Sequence, residues 1–229
     1  MREHFEELLH RIERRLADES GLVDRALDDA IRAFVQRDGT LAGRVVDGDR
    51  YLDHAEVELE RLCLDTMARQ QPMAGDLRFL TGAIKINSDL ERMGDLASNV
   101  AKQAWRLSED PHPSFAERFA IMGERVRRMV TGSMDALLTR NPDLAREVWA
   151  LDSQVDAMFG SLLDHCFELM RDDQITPQDA TTYVAAARNV ERIGDHATNI
   201  TEDVVFIVEG RIVRHNAEAR IAPRPPNGV

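Results

Sequence analysis

Pairs of acids four residues apart recur through this chain at matched positions. Glu91 and Asp95 lie in NSDLERMGDLASN, residues 87–99, and Glu191 and Asp195 lie a hundred positions later in ARNVERIGDHATN. Asp49 with Asp53, and Asp152 with Asp156, repeat the spacing. Residues four apart share a helix face, so each pair presents two carboxylates side by side, with Asn99 or Asn199 one turn further along. Like charges so placed destabilise a helix by roughly 0.2–0.5 kcal/mol. A hard or borderline cation would remove that repulsion, because carboxylate oxygens are the ligands such ions prefer. For any one pair the competing reading is a solvated face, with Arg92 or Arg192 in ordinary surface ion pairs. Four pairs at equivalent positions shift the balance toward the cation.

The neighbours of these acids sharpen the expectation. Gly94 and Gly194 each cost about 1 kcal/mol inside a helix, which implies close approach, by an adjacent helix ahead of an ion. His196 reads as a packing histidine, with metal ligation as the alternative. Glu202 stands where the first repeat has Lys102, so the second site is expected to hold cations more strongly. Catalysis finds little support. A di-iron centre wants two inward Glu-x-x-His pairs, and Glu7 with His10 is the only such spacing on a helix. There is no G-x-S-x-G, P-loop or H-E-x-x-H motif, so no catalytic residue is assigned and no enzyme is expected.

The elements that must position these acids are helices. Apolar residues at Ala83, Ile86, Leu90, Met93, Ala97, Val100, Ala104 and Leu107 alternate spacings of three and four, a heptad seam. Tyr183, Ala186, Val190, Ile193, Ala197, Ile200, Val204 and Ile207 repeat it a hundred positions on. With Leu90 and Val190 at position a, both acids of each pair face away from the seam. Breaks at Asp38-Gly39-Thr40, Pro72 to Gly75, Asn141-Pro142 and Thr176-Pro177 carry N-terminal signals, and Ser114 with Glu117 has capping-box spacing. The pattern predicts helices near 4–37, 40–70, 76–108, 114–140, 142–173 and 177–209. Short joints force antiparallel neighbours, so the expected fold is all-α, two tandem up-and-down three-helix bundles. The first unit spans 1–109, the second 114–209, and 210–229 should be a mobile tail. The halves align further at an offset of 103, Cys63 on Cys166 and Met67 on Met170 among others. The two cysteines are thus equivalent core positions rather than partners in a disulfide. With second and third helices adjacent, each unit would gather four carboxylates and an amide into one patch.

Composition narrows the partners. The 229 residues carry 41 acidic and 29 basic side chains, a net charge of -12, which repels nucleic-acid phosphates and anionic lipid. The charged N-terminus lacks an apolar signal core and no apolar run approaches a bilayer span, so a cytoplasmic protein is expected, touching membranes only through partners.

The segments QQPMAGDLR at 70–78, ERMGD, ERIGD and above all AARNVERIGDHATNITE at 186–202 resemble the PhoU family, the accessory and regulatory proteins of the phosphate-specific transport system. The resemblance covers all but the C-terminal tail. It implies tandem three-helix bundles whose E(D)XXXD motifs bind multinuclear iron or zinc clusters at the surface, with no organic cofactor. Matched residue by residue, these are Asp49, Asp53, Glu91 and Asp95, then Asp152, Asp156, Glu191 and Asp195. It further implies a homodimer that represses the phosphate-starvation response and restrains uptake, linking the ATPase subunit of the phosphate ABC transporter to a sensor histidine kinase. A metal-storage protein and a metallohydrolase are the other readings the acids allow.

Overall fold

The computed structural model describes residues 2–107 and 110–213. Six helices follow one another: α1 Arg2–Val35, α2 Gly39–Gln70, α3 Ala74–Gln103, α4 Pro113–Leu138, α5 Pro142–Arg171 and α6 Pro177–Glu209. No strand occurs among the described residues. The helices start where their capping chemistry puts them. Asp38 Oδ1 accepts from Thr40 N and Leu41 N at 2.9 Å, Asn141 Oδ1 from Asp143 N at 2.9 Å, and Thr176 Oγ1 from Asp179 N at 3.0 Å. Proline opens α4, α5 and α6, where its missing N–H costs nothing.

The capping box expected at Ser114 and Glu117 does not form. His112 is the N-cap and Pro113 the first helical residue, which places Ser114 inside the helix. The Ser114 hydroxyl instead lies 2.8 Å from His112 Nδ1 and 2.6 Å from His165 Nε2, tying the linker to α5.

All sixteen residues of the two heptad seams are buried. α1, α2 and α3 pack mutually, as do α4, α5 and α6. The units then join side by side through α3 against α6, the most extensive helix contact in the chain, and through α1 against α4. Phe34 of α1, Phe115 and Phe119 of α4 and Tyr183 of α6 form an aromatic cluster across this junction, with ring centroids 4.2–6.4 Å apart. The Tyr183 hydroxyl also accepts from His112 N at 2.7 Å. Arg127 donates to Asp24 through Nε and Nη2 at 2.9 Å each and to Asp28 through Nη1 at 2.8 Å, a fork that fixes α4 on α1. The result is a single apolar core running through both units. Cys63 and Cys166 are free and buried in it.

No helix among the described residues is long and apolar enough to cross a membrane. Of the expected tail at 210–229, residues 214–229 lie outside the described residues. Residues 211–213 follow α6 without helix, and Val213 is only 1% exposed.

Candidate functional site

Each unit brings its four sequence-predicted carboxylates together on the adjoining faces of two helices. In the first, α2 supplies Asp49 and Asp53 and α3 supplies Glu91 and Asp95. Burial and then the charge of Asp95 raise the Asp49 carboxyl, with Asp53 adding to the effect and Lys102 opposing it. Burial likewise raises Glu91, followed by Asp95, against the partial relief of Arg92, whose Nε lies 3.6 Å from Glu91 Oε2. In the second, α5 supplies Asp152 and Asp156 and α6 supplies Glu191 and Asp195. Glu191 is raised by burial and then by Asp195, Asp156 and Asp152 also pushing it up. Asp195 is raised by partial loss of hydration and then by Asp156. These shifts are the electrostatic signature of carboxylates crowded into a shared field.

Several residues sit differently from expectation. Asp53, Asp156 and Asp195 do reach solvent, but Glu191 is 7% exposed, so the outward face drawn from the heptad is wrong for it; Glu202, expected to strengthen the second site, is 5% exposed. The reason is that α6 packs on three helices, α3, α4 and α5, so a single seam does not exhaust its covered surface. Asn99 is exposed and accepts from Lys102 Nζ at 3.3 Å, beside the first patch. Asn199 is turned the other way, donating with His196 to Asp89 Oδ1 of α3 at 3.4 and 2.8 Å. His196 thus spans the units, the packing role the sequence favoured, with a partner the sequence did not name.

Gly94 has a clear steric reason. A Cβ there would overlap Leu52 Cδ1 and stand 3.4 Å from Asp49 Oδ1, so the glycine lets α2 lie against α3. At Gly194 the nearest atoms are Met129 Cε at 3.5 Å and Val155 Cγ1 at 3.7 Å, ordinary contact that does not require glycine.

Sequence reasoning overlooked Arg188. Its Nη1 donates to Glu191 Oε1 at 2.7 Å while its guanidinium lies over the Phe159 ring at 5.5 Å, and the equivalent first-unit residue is Ser88. Cations temper both patches: Lys102 acts against Asp49 and Arg92 against Glu91 in the first, and Arg188 acts against Glu191 and Asp195 in the second, with Arg192 also opposing Asp195. The i, i+3 spacing of Arg188 and Glu191 was the available signal.

The donor set fits an oxygen-preferring cation in type. Glu191 Oε2 is buried and has no hydrogen-bond partner, which leaves one carboxylate oxygen of the second patch open to an ion. Yet among the described residues no three His, Cys, Asp or Glu side chains converge on one point as a ready-made ion cage. Chelation at either patch therefore calls for rotation of the rim aspartates.

The chain matches the PhoU domain model twice, over residues 16–104 and 119–204, the two three-helix units. The phosphate-specific transport system accessory protein PhoU homolog of Caulobacter vibrioides is 36% identical over 211 residues, 92% of this chain and 91% of its own. The homolog of Rhizobium meliloti is 34% identical over 207 residues, covering 90% and 87%. The crystal structure of PhoU from Pseudomonas aeruginosa superposes with a TM-score of 0.85 at 33% identity, covering 90% of this chain and all of that one. Two domain matches placed on the two acidic units, and full-length relatives of one fold, lead to one conclusion: this chain is a member of the PhoU family.

Proposed function

We propose that this protein is a phosphate-signalling adaptor. In this reading it acts with the phosphate-specific transport system, represses the phosphate-starvation response and restrains uptake when phosphate is plentiful. The observation that carries the reading is the match of both units, across nearly the whole chain, to relatives named as accessory proteins of that system. The partners are the ATPase subunit of the phosphate ABC transporter and the sensor histidine kinase, met at the cytoplasmic side by a homodimer. An adaptor of this kind needs surfaces rather than chemistry. Deleting the protein should derepress alkaline phosphatase in phosphate-rich medium; unchanged repression would sink the reading.

The acidic patches are proposed as metal sites, iron or zinc, held in the first unit by Asp49, Asp53, Glu91 and Asp95, and in the second by Asp152, Asp156, Glu191 and Asp195. A bound metal would supply positive charge that relieves the crowded carboxylates and draws α2 to α3, or α5 to α6. Metal storage is the second reading, favoured by the unpartnered oxygen of Glu191. Elemental analysis of purified wild type and Glu191→Ala/Asp195→Ala, matched for helicity by circular dichroism, separates these ideas. Metal in the first and a large loss in the second supports metal sites. Equal or zero content in both leaves the patches as docking surfaces for basic partners.

A further inference from the structure

The two units carry different outer surfaces on the same three-helix framework. In the first, an apolar ridge with one acid in it runs along the outside of α2. Val57 is 61% exposed and Leu64 51% exposed, and Glu60, also exposed, stands one turn from each on the same stripe of the helix. Among the described residues the Glu60 carboxylate has no hydrogen-bond or ion-pair partner. At the equivalent positions the second unit has Gly160, Leu163 and Phe167, so the acid and one of the two apolar anchors are missing there.

The second unit has a groove instead. Between α4 and α5 a cavity of about 340 Å³ is lined by Arg118, Ile121, Ala157, Met158, Ser161 and Leu162. Ile121 is 54% exposed, and Arg118 supplies the charge. The first unit shows how the same place is finished when water is its neighbour. It has Arg15, Asp18, His54 and Glu58 there, and Arg15 Nη1 donates to Glu58 Oε2 at 3.1 Å across α1 and α2. With Ser161 for Glu58 and Ile121 for Asp18, the second unit keeps the arginine and loses its acid. Among the described residues Arg118 has no hydrogen-bond or ion-pair partner.

An apolar groove beside an unpaired cation fits an apolar helix ridge that carries an acid one turn from its anchor, which is the composition of the α2 ridge. Within one chain α2 packs on α1 and α3 and makes no substantial contact with α4 or α5. The ridge can therefore reach such a groove on a second molecule and not on its own. We propose that α2 of one copy docks on the α4–α5 groove of a second copy, with Leu64 seated against Ile121, Met158 and Leu162 and with Glu60 paired to Arg118. The contact rests on the homodimer proposed above and gives that dimer its surface. Ridge and groove lie in unlike units, so one molecule presents both, and two reciprocal contacts about a two-fold axis close a dimer. The Glu60–Arg118 pair also places an attraction inside the contact, against the repulsion between two chains of net charge -12.

Sedimentation-velocity ultracentrifugation of the full chain is the test. Wild type is compared with Leu64→Glu, Ile121→Asp, Glu60→Arg, Arg118→Glu and the charge reversal Glu60→Arg/Arg118→Glu. All four positions are exposed, and Ile121→Asp takes the first unit's own residue, so helicity by circular dichroism should stay at the wild-type level. The expected result is a dimer in wild type, association weakened about tenfold or more in each single variant, and recovery of most of that loss in the charge reversal. A monomeric wild type would overturn this contact and the homodimer reading together. A dimer that every single variant retains would overturn the contact and leave the homodimer standing. Weakening by Glu60→Arg and Arg118→Glu with no recovery in their combination would also overturn it, because the two residues would then not meet.

Discussion

Gly94 and Gly194 occupy equivalent places beside the two acidic patches, yet alanine should act on them with opposite effect. The intrinsic gain is the same at both, about 1 kcal/mol for replacing glycine inside a helix. At Gly194 the new methyl would meet Met129 and Val155 at 3.5–3.7 Å, so the gain is kept. At Gly94 it would overlap Leu52 Cδ1, and Leu52 is itself buried between α2 and α3. Overpacking of that kind costs about 1–3 kcal/mol, partly relieved by rotation of the leucine tip. Gly194→Ala is thus stabilising by about 1 kcal/mol, and Gly94→Ala lies about 1–3 kcal/mol below it. For a chain of this length 1 kcal/mol moves the thermal midpoint by about 2–4 °C, so the variants should melt several degrees apart. Differential scanning calorimetry of both in metal-free buffer reads the gap directly. Equal shifts would refute the argument that tight helix packing is what Gly94 serves. Because Asp49 Oδ1 is 3.4 Å from the added Cβ, Gly94→Ala should also weaken any cation binding at the first patch, whereas Gly194→Ala leaves the second unaltered.

Three further outcomes are expected. In metal-free protein Glu19 binds its proton more tightly folded than unfolded, so its contribution falls as pH rises from about 4.5 to about 7. Glu19→Gln should therefore match wild type below that window and exceed it above by up to about 3 kcal/mol in chemical denaturation, and a pH-independent difference would contradict this. The raised Glu191 carboxyl has the same sign, so Glu191→Gln should gain on wild type as pH climbs above about 4.5, and added cation should shrink the gain. Arg127→Ala removes the fork onto Asp24 and Asp28, a half-exposed contact worth about 1 kcal/mol. A double-mutant cycle with Asp24→Ala measures it, and zero coupling would show that the fork does not fasten α4 to α1.

Much of the architecture is legible in the chain because one physical pattern carries it. The heptad seams are all buried, and capping at Asp38, Asn141 and Thr176 fixes three helix starts, so most expected boundaries lie within two residues. The ends are harder. α1, α2, α4 and α5 are followed by Arg37, Gln71, Arg140 and Asp173 at φ of 48–54°, left-handed residues that are not glycine and so carry no stop signal. The co-location of the four carboxylates in each unit follows from the duplication together with antiparallel pairing. Their burial does not, because a heptad describes one seam and α6 has three partners. Likewise Asp89 with His196 joins different units, and no periodicity within a unit points to it. Glu19 looks like any acid on a charged helix, and only its alignment with Met122 hints that it lies inside.

α2 and α5 have a property that the four central helices lack: each packs substantially only on the two other helices of its own unit. α1, α3, α4 and α6 hold one another across the unit boundary, whereas the outer two are fastened from one side. Each acidic patch is split across this division, half on a fixed helix and half on an outer one. An ion bridging the halves would therefore act as a clasp, the work of detaching the outer helix rising with the affinity for that ion. Without it, the crowded carboxylates push the same helix outward. Leu64 on α2 and Phe167 on α5, both exposed and at equivalent positions, ride on those outer helices. A protein reading that face would in effect read how firmly each clasp is shut.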